Sequence, residues 1–333
     1  MSIARIRRSR RTAVAAAAVG TALLCGALAL PAPAAFAVEP PQATLSVEAP
    51  DSIGFAGRPV EFTETITNTG TQSTTYNLVL DTTSDLGTPE HAITIDYKDP
   101  ADGTWKAFPL EFNRGDHNVT YSGLLSWPDG LTVPAGGEVT VALRIGAPMG
   151  LPHDGASNGG FQSVALHSAV IARDGSWVAL DQKTRTIKAE PLITSLSEVP
   201  DEAVAGGDPI EFDAVLDDPT PSDYVNLGNV LFTDPHATVQ VRDEDGSWRA
   251  LEKVSNGIPG DPVGVYLQGR DSGILAGDTT VTRVRVSYDA TTPAGATRLG
   301  PCVFVNEGAV PFRGTTTCGT QSTVQILPPT AAS

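Results

Sequence analysis

Cysteine is scarce in this chain of 333 residues, with three in all, and histidine (five), tryptophan (four) and methionine (two) are hardly more frequent. The five histidines, His91, His117, His153, His167 and His236, include no pair at metal-ligand spacing, and no Cys-x-x-Cys occurs. Zinc sites and redox dithiols therefore have no framework. Basic charge is short as well: 22 Lys and Arg stand against 38 Asp and Glu, a formal net charge of −16. Such a chain meets long-range repulsion at nucleic acid and at anionic membrane surfaces. Beyond residue 37 no apolar run approaches the length of a membrane span, and no segment of ten or more residues has the period of an amphipathic helix.

The first residues differ from all the rest. "MSIARIRRSRR" carries five arginines and no acid, and "AVAAAAVGTALLCGALAL" from Ala13 to Leu30 is apolar throughout. Pro31 and Pro33 then precede "AFA" at Ala35 to Ala37, whose small residues fit signal peptidase. Residues 1–37 thus read as a secretory signal peptide, with the mature start near Val38. Without its five arginines the charge falls from −16 to about −21. Cys25 leaves with the leader, because Leu24 before it does not suit a lipoprotein signal. The remaining pair, Cys302 and Cys318, is expected to form one disulfide in an oxidising compartment, worth about 3 kcal/mol for a loop of this size.

The rest of the chain repeats itself. "AGRPVEF" at Ala56 answers to "AGGDPIEF" at Ala205, Trp105 to Trp248, and "PAGGEVTVALRI" from Pro134 to "LAGDTTVTRVRV" from Leu275, with offsets of 150 (Phe62 to Phe212), 143 and 141. One module has been used twice. The seam falls near "KAEPLIT", giving domains 38–190 and 191–328, a linker too short for independent tumbling, and a disordered tail at 329–333. "LPPTA" at Leu327 to Ala331 runs into that tail and is close to a sortase signal, but neither a helix nor a basic tail follows it, so covalent wall attachment is disfavoured.

Within each copy the period is two. Val139, Val141, Leu143 and Ile145 alternate with Glu138, Thr140, Ala142 and Arg144; Val284, Val286 and Tyr288 alternate with Arg283, Arg285 and Ser287. Val60, Phe62 and Ile66 make another apolar face with Glu64 as its misfit, and Ile210, Phe212, Ala214 and Leu216 repeat it without interruption. Seven or eight short strands per copy, each wet on one side and separated by Gly, Pro, Asp and Asn, predict an all-β fold of two tandem immunoglobulin-like antiparallel sandwiches.

"EFTETITNTGTQSTTYNLVL" resembles two adjacent strands of the bacterial immunoglobulin-like modules of the CARDB or conserved-repeat type, with "NTG" as the turn between them. "VPAGGEVTVALRIGAP" is similar to a late strand of the same modules. The resemblance covers roughly residues 42–328 and implies a sandwich in a cell-surface or extracellular setting. It implies no catalytic residues, since such modules act as spacers, adhesins or scaffolds.

Three kinds of residue could carry chemistry. In "DEDGSWRALE", Asp243, Asp245 and Glu252 have the order of a calcium loop, although acidic residues also favour plain solvated turns; "DDPTPSD" from Asp217 and "DPADG" from Asp99 read as such turns. His153, Asp154 and Ser157 fall together in "GLPHDGASNGG", but three residues of one loop make a poor preorganised triad, and the loop reading is preferred. His167 reads as a strand residue. The tryptophans Trp105, Trp127 and Trp248, with Trp177, Tyr121 and Tyr266 beside them, could present aromatic faces to sugar rings. Trp105, Trp177 and Trp248 each follow an Asp-Gly turn, however, and a tryptophan packed across its own hairpin would recur for structural reasons.

The expectation is accordingly a secreted, non-enzymatic interaction or scaffold protein, possessing no cofactor, with a cell-surface protein as partner. The alternative is binding of carbohydrate or cell-wall polysaccharide through exposed tryptophans. Extracellular, non-covalent association with the wall suits both.

Overall fold

A computed structural model of the chain describes residues 42–125, 130–148, 152–153, 156–157, 162–173, 175, 177–255, 257 and 263–329. Wherever the sequence alternates with period two, the structure has a strand. Val141, Leu143 and Ile145 are buried while Thr140, Ala142 and Arg144 face away, and Val284, Val286 and Tyr288 are buried in the equivalent strand. Among the described residues all regular structure is β, and no helix is long and apolar enough to cross a membrane.

The first sandwich consists of two sheets. One has the order Ala43–Glu48, Val60–Asn68, Glu138–Gly146, Thr94–Lys98, Trp105–Ala107; the other runs Ser52–Gly54, Ala179–Glu190, Ser163–Ala172, Thr74–Ser84, Val119–Leu125, Glu111–Arg114, with Leu131–Val133 also on Thr74–Ser84. The second sandwich repeats this order. Ile193–Ser197, Ile210–Asp217, Thr279–Tyr288, Ala237–Arg242 and Trp248–Ala250 form its smaller sheet, while Glu202–Val204, Ser322–Leu327, Gly295–Val305, Tyr224–Thr233 and Val263–Tyr266 form the larger. Ser272–Ile274 and Thr315–Cys318 add to that larger sheet. Both copies are immunoglobulin-like, antiparallel except for one short parallel pair each, Ser52–Gly54 on Ala179–Glu190 and Glu202–Val204 on Ser322–Leu327. Five- and seven-stranded sheets exceed the seven or eight strands expected per copy. The surplus is short segments such as Trp105–Ala107 and Leu131–Val133, too brief to leave an alternation in the sequence.

Each sandwich has its own core. Ile66, Leu78, Leu80, Leu143, Ile145 and Leu166 fill the first, and Phe212, Leu231, Val284, Val286, Leu299 and Val324 the second, all fully buried. Each such side chain contributes roughly 1.5–3 kcal/mol on leaving water. Cys302 and Cys318 are directly opposite one another in register and form the disulfide.

The two sandwiches meet closely within one compact unit. Gly54 N–H donates to Ser222 Oγ at 2.9 Å and Arg58 N–H to the Asp223 carbonyl at 2.8 Å, while Asn306 Nδ2 reaches the Ala56 carbonyl at 3.4 Å. Ala56 packs on a cluster of the second sandwich that includes Leu192, Leu216, Tyr224 and Val303. A side chain at Gly54 would place its Cβ 2.1 Å from Tyr224 Oη, so only glycine permits this approach. The acidic run Asp217 to Asp223 is therefore not the solvated turn its composition suggests. Asp218, Thr220 and Ser222 are buried in the joint, and Asp218 Oδ1 accepts from the Thr220 amide and hydroxyl.

Candidate functional site

Asp-Gly chemistry shapes the three tryptophan hairpins. Gly103, Gly175 and Gly246 all have φ between 69° and 85°, a region that costs glycine little. Around Gly246 the loop is longer than a two-residue turn. Gly246 N–H donates to the Asp243 carbonyl and Asp243 N–H to the Ser247 carbonyl, both at 2.9 Å, which is a turn closed by a left-handed glycine.

Trp105 and Trp248 begin the return strands of their hairpins and are half-buried. The contacts of each extend beyond its own hairpin. Arg144 lies over Trp105 at 4.7 Å from the ring centroid, and Arg285 over Trp248 at 4.4 Å. Both arginines come from the strand beyond the hairpin, two away from the tryptophan's own, at positions that answer to each other in the repeat, and each is held by the strand between: Arg144 Nε by Asp96 at 2.7 Å, Arg285 Nε by Gln240 at 2.7 Å. One face of each indole is thus occupied by a guanidinium. The lysine Lys98 also approaches Trp105, at 5.9 Å.

The other aromatic candidates are distributed differently. Tyr121 is buried, not presented to solvent; its hydroxyl donates to the Pro89 carbonyl, and burial pushes its pKa up to about 12. Tyr266 stacks on Phe312 and donates to the Glu307 carboxylate at 2.8 Å. Trp127 lies outside the described residues. Trp177 stands in the open, 68% exposed, with a left-handed φ of 54°. Its expected packing across the hairpin is not what the structure has.

Trp177 borders a shallow groove of about 650 Å³ on the outer face of the larger sheet of the first sandwich. Val79, Leu124 and Ala169 line it from three adjacent strands, and Leu110 lines it together with Trp177. Asp81, Ser122 and Glu111 supply its polar atoms, and no lysine or arginine lines it. The strand residues that line it alternate with the core residues Leu78, Leu80 and Val170, so the outward period of three strands sets the depth. The groove escapes a linear reading of the sequence because its parts lie some ninety residues apart. Trp177 has no counterpart in the repeat, and the sequence alone attaches it to its turn rather than to a site.

The acidic candidates serve the hairpins. Asp245 Oδ1 accepts the Ser247 amide at 2.9 Å, and Asp243 pairs with Arg249 at 3.2 Å. Glu252 follows the return strand Trp248–Ala250 in an exposed position. No group of three His, Cys, Asp or Glu side chains able to hold a metal occurs among the described residues. In the first copy, Asp102 accepts the Thr104 hydroxyl and amide, which hold its carboxyl down at about 2, and Lys106 bridges Asp99 and Asp102. Within "GLPHDGASNGG", Pro152–His153 and Ala156–Ser157 pair as a small antiparallel ladder, while Asp154 lies outside the described residues. His167 is an exposed strand residue whose Nδ1 meets Thr184 Oγ1 at 2.9 Å.

No family model matches the chain, and no curated protein does. Among solved structures it is similar to the C-terminal domain of the Streptococcus agalactiae AgI/II polypeptide BspA, at 10% identity and TM-score 0.34 over 85% of this chain and 99% of that one. AvmM, described as catalysing macrocyclization in alchivemycin A biosynthesis, matches at 15% identity and TM-score 0.32 over 45% of this chain and 88% of its own. Elastase-activated Escherichia coli alpha-2-macroglobulin matches at 14% identity and TM-score 0.26, over 86% of this chain and 22% of that one. Scores this low carry nothing about activity.

Proposed function

We propose that the chain is an exported, non-enzymatic interaction or scaffold protein of the cell surface or envelope, built from modules of the CARDB or conserved-repeat type. The observation that carries this reading is the joint. Two sandwiches are fastened through Gly54, Ala56 and Arg58 to a buried loop of the second copy, an arrangement that holds surfaces at fixed separation and needs no chemistry. The arginine-rich leader, the disulfide in a chain with so few cysteines, and the strongly acidic composition support an extracellular setting.

The test uses protein recovered from the producing cells. N-terminal sequencing is expected to find Val38 as first residue, in the medium or the envelope fraction, and in situ cross-linking should join the chain to one discrete surface partner. Recovery from the cytoplasm with Met1 intact, or turnover of a substrate by the purified protein, would contradict the proposal.

A further inference from the structure

The duplication supplies an internal comparison for the groove beside Trp177. Counted from the buried leucines Leu78 and Leu227, Asp81 of the first sandwich answers to Val230 of the second. One register row on the outer face of the first is Ser122, Asp81, His167, Thr184. At the same place in the second it is Tyr266, Val230, Cys302, Cys318. The neighbouring row is Leu124, Val79, Ala169 in the first copy and Gly228, Phe304 in the second, where the Tyr266 ring lies over Gly228.

The second sandwich fills this face with its own side chains. Phe312, left-handed at φ 61° as Trp177 is at 54°, comes from the corresponding hairpin and packs on Phe232, Phe304 and Tyr266 at centroid distances of 4.9, 5.7 and 5.8 Å. Glu307 anchors that hairpin by accepting from the Phe312 amide, the Tyr266 hydroxyl and Arg270. In the first sandwich Trp177 is 68% exposed, and Ser122 and Ala169, in the places of Tyr266 and Phe304, leave a groove beside it.

We infer that this groove binds a neutral pyranose carbohydrate, with Trp177 stacking on the sugar face and Asp81, Glu111 and Ser122 meeting its hydroxyls. The chemistry of the lining selects this occupant. Two carboxylates and no cation disfavour an anionic ligand. A purely apolar side chain like Phe312 would strand Asp81 away from water without a partner, whereas sugar hydroxyls donate to it while the ring C–H face covers Val79, Leu124 and the indole. Added peptide strands are excluded because Thr74–Ser84 and Ser163–Ala172, which line the groove, are already paired on both sides. The volume suits a mono- or disaccharide, within the usual range of about 300–1,000 Å³ for small-ligand sites. This inference goes beyond the scaffold reading and does not rest on it.

The test titrates cellobiose, maltose, chitobiose and mannobiose into the full chain, followed by calorimetry and tryptophan emission, with a heparin disaccharide and an arginine-rich peptide as competitors. Saturable binding of at least one neutral sugar is expected. Trp177→Ala and Asp81→Asn should each weaken it about tenfold or more without moving the melting temperature, while Trp248→Ala leaves it unchanged. Four results would overturn the inference: no saturable binding of any of the four sugars, binding indifferent to Trp177→Ala, preferential occupation of the groove by the heparin disaccharide or the peptide, or a dimer that buries Trp177.

Discussion

Glu64 occupies a core position of the Val60–Asn68 strand, between Phe62 and Ile66, and its side chain is completely buried. Ser168 Oγ donates to its Oε1 at 2.6 Å, while Oε2 is buried without a partner among the described residues. Desolvation outweighs that hydrogen bond and raises the pKa from 4.5 to about 7. The folded chain therefore holds a proton that the unfolded chain releases above pH 4.5. The stability this lends is complete below pH 4.5 and is lost as pH rises through 7, a loss of about 3 kcal/mol for a shift of this size. Glu64→Gln, which cannot ionise, should unfold at higher denaturant than the parent at pH 8 and lose that advantage by pH 4.5. A difference between the two that does not change with pH would contradict the burial of a neutral acid. The misfit itself was legible in the alternation of the strand. Its partner was not, since Ser168 lies on the opposite sheet.

At the scale of the element, Trp105 and Trp248 belong to hairpins whose indoles are capped by arginines of the strand beyond. The alternation of "VTVALRI" and "VTRVRVSY" places Arg144 and Arg285 on the wet face, so half of each contact was legible; which aromatic they meet depends on a pairing across three strands. An exposed pair of this type contributes about 0.5–1 kcal/mol. A double-mutant cycle on Trp248→Ala and Arg285→Ala is expected to return a coupling of that order, and the cycle on Trp105 and Arg144 a similar one. Additive effects in both cycles would reduce the stacking to proximity. Asp217 to Asp223 teaches the opposite lesson. Its composition is that of a solvated turn, yet Asp218, Thr220 and Ser222 are buried because the first sandwich leans on them. Composition reports intrinsic preference, and a tertiary contact overrode it. The groove beside Trp177 escaped for a related reason: it is open where Ser122 and Ala169 stand in the places of Tyr266 and Phe304, on strands distant in sequence.

For the whole molecule, the duplication, the all-β class and the disulfide pair were legible because each rests on periodicity or on counting. The joint was not, since it depends on Gly54 meeting Tyr224 across 170 residues. The joint is also what the scaffold reading requires. Gly54→Leu would drive a side chain into the Tyr224 hydroxyl, and separation of the sandwiches is the cheapest relief. The most direct measurement is a pulsed electron paramagnetic resonance distance between spin labels at the exposed positions Asp116 and Glu244, one in each sandwich. A single narrow distribution in the parent, broadened by Gly54→Leu while both sandwiches stay folded, is the predicted result. A broad distribution in the parent, or one that Gly54→Leu leaves untouched, would contradict it.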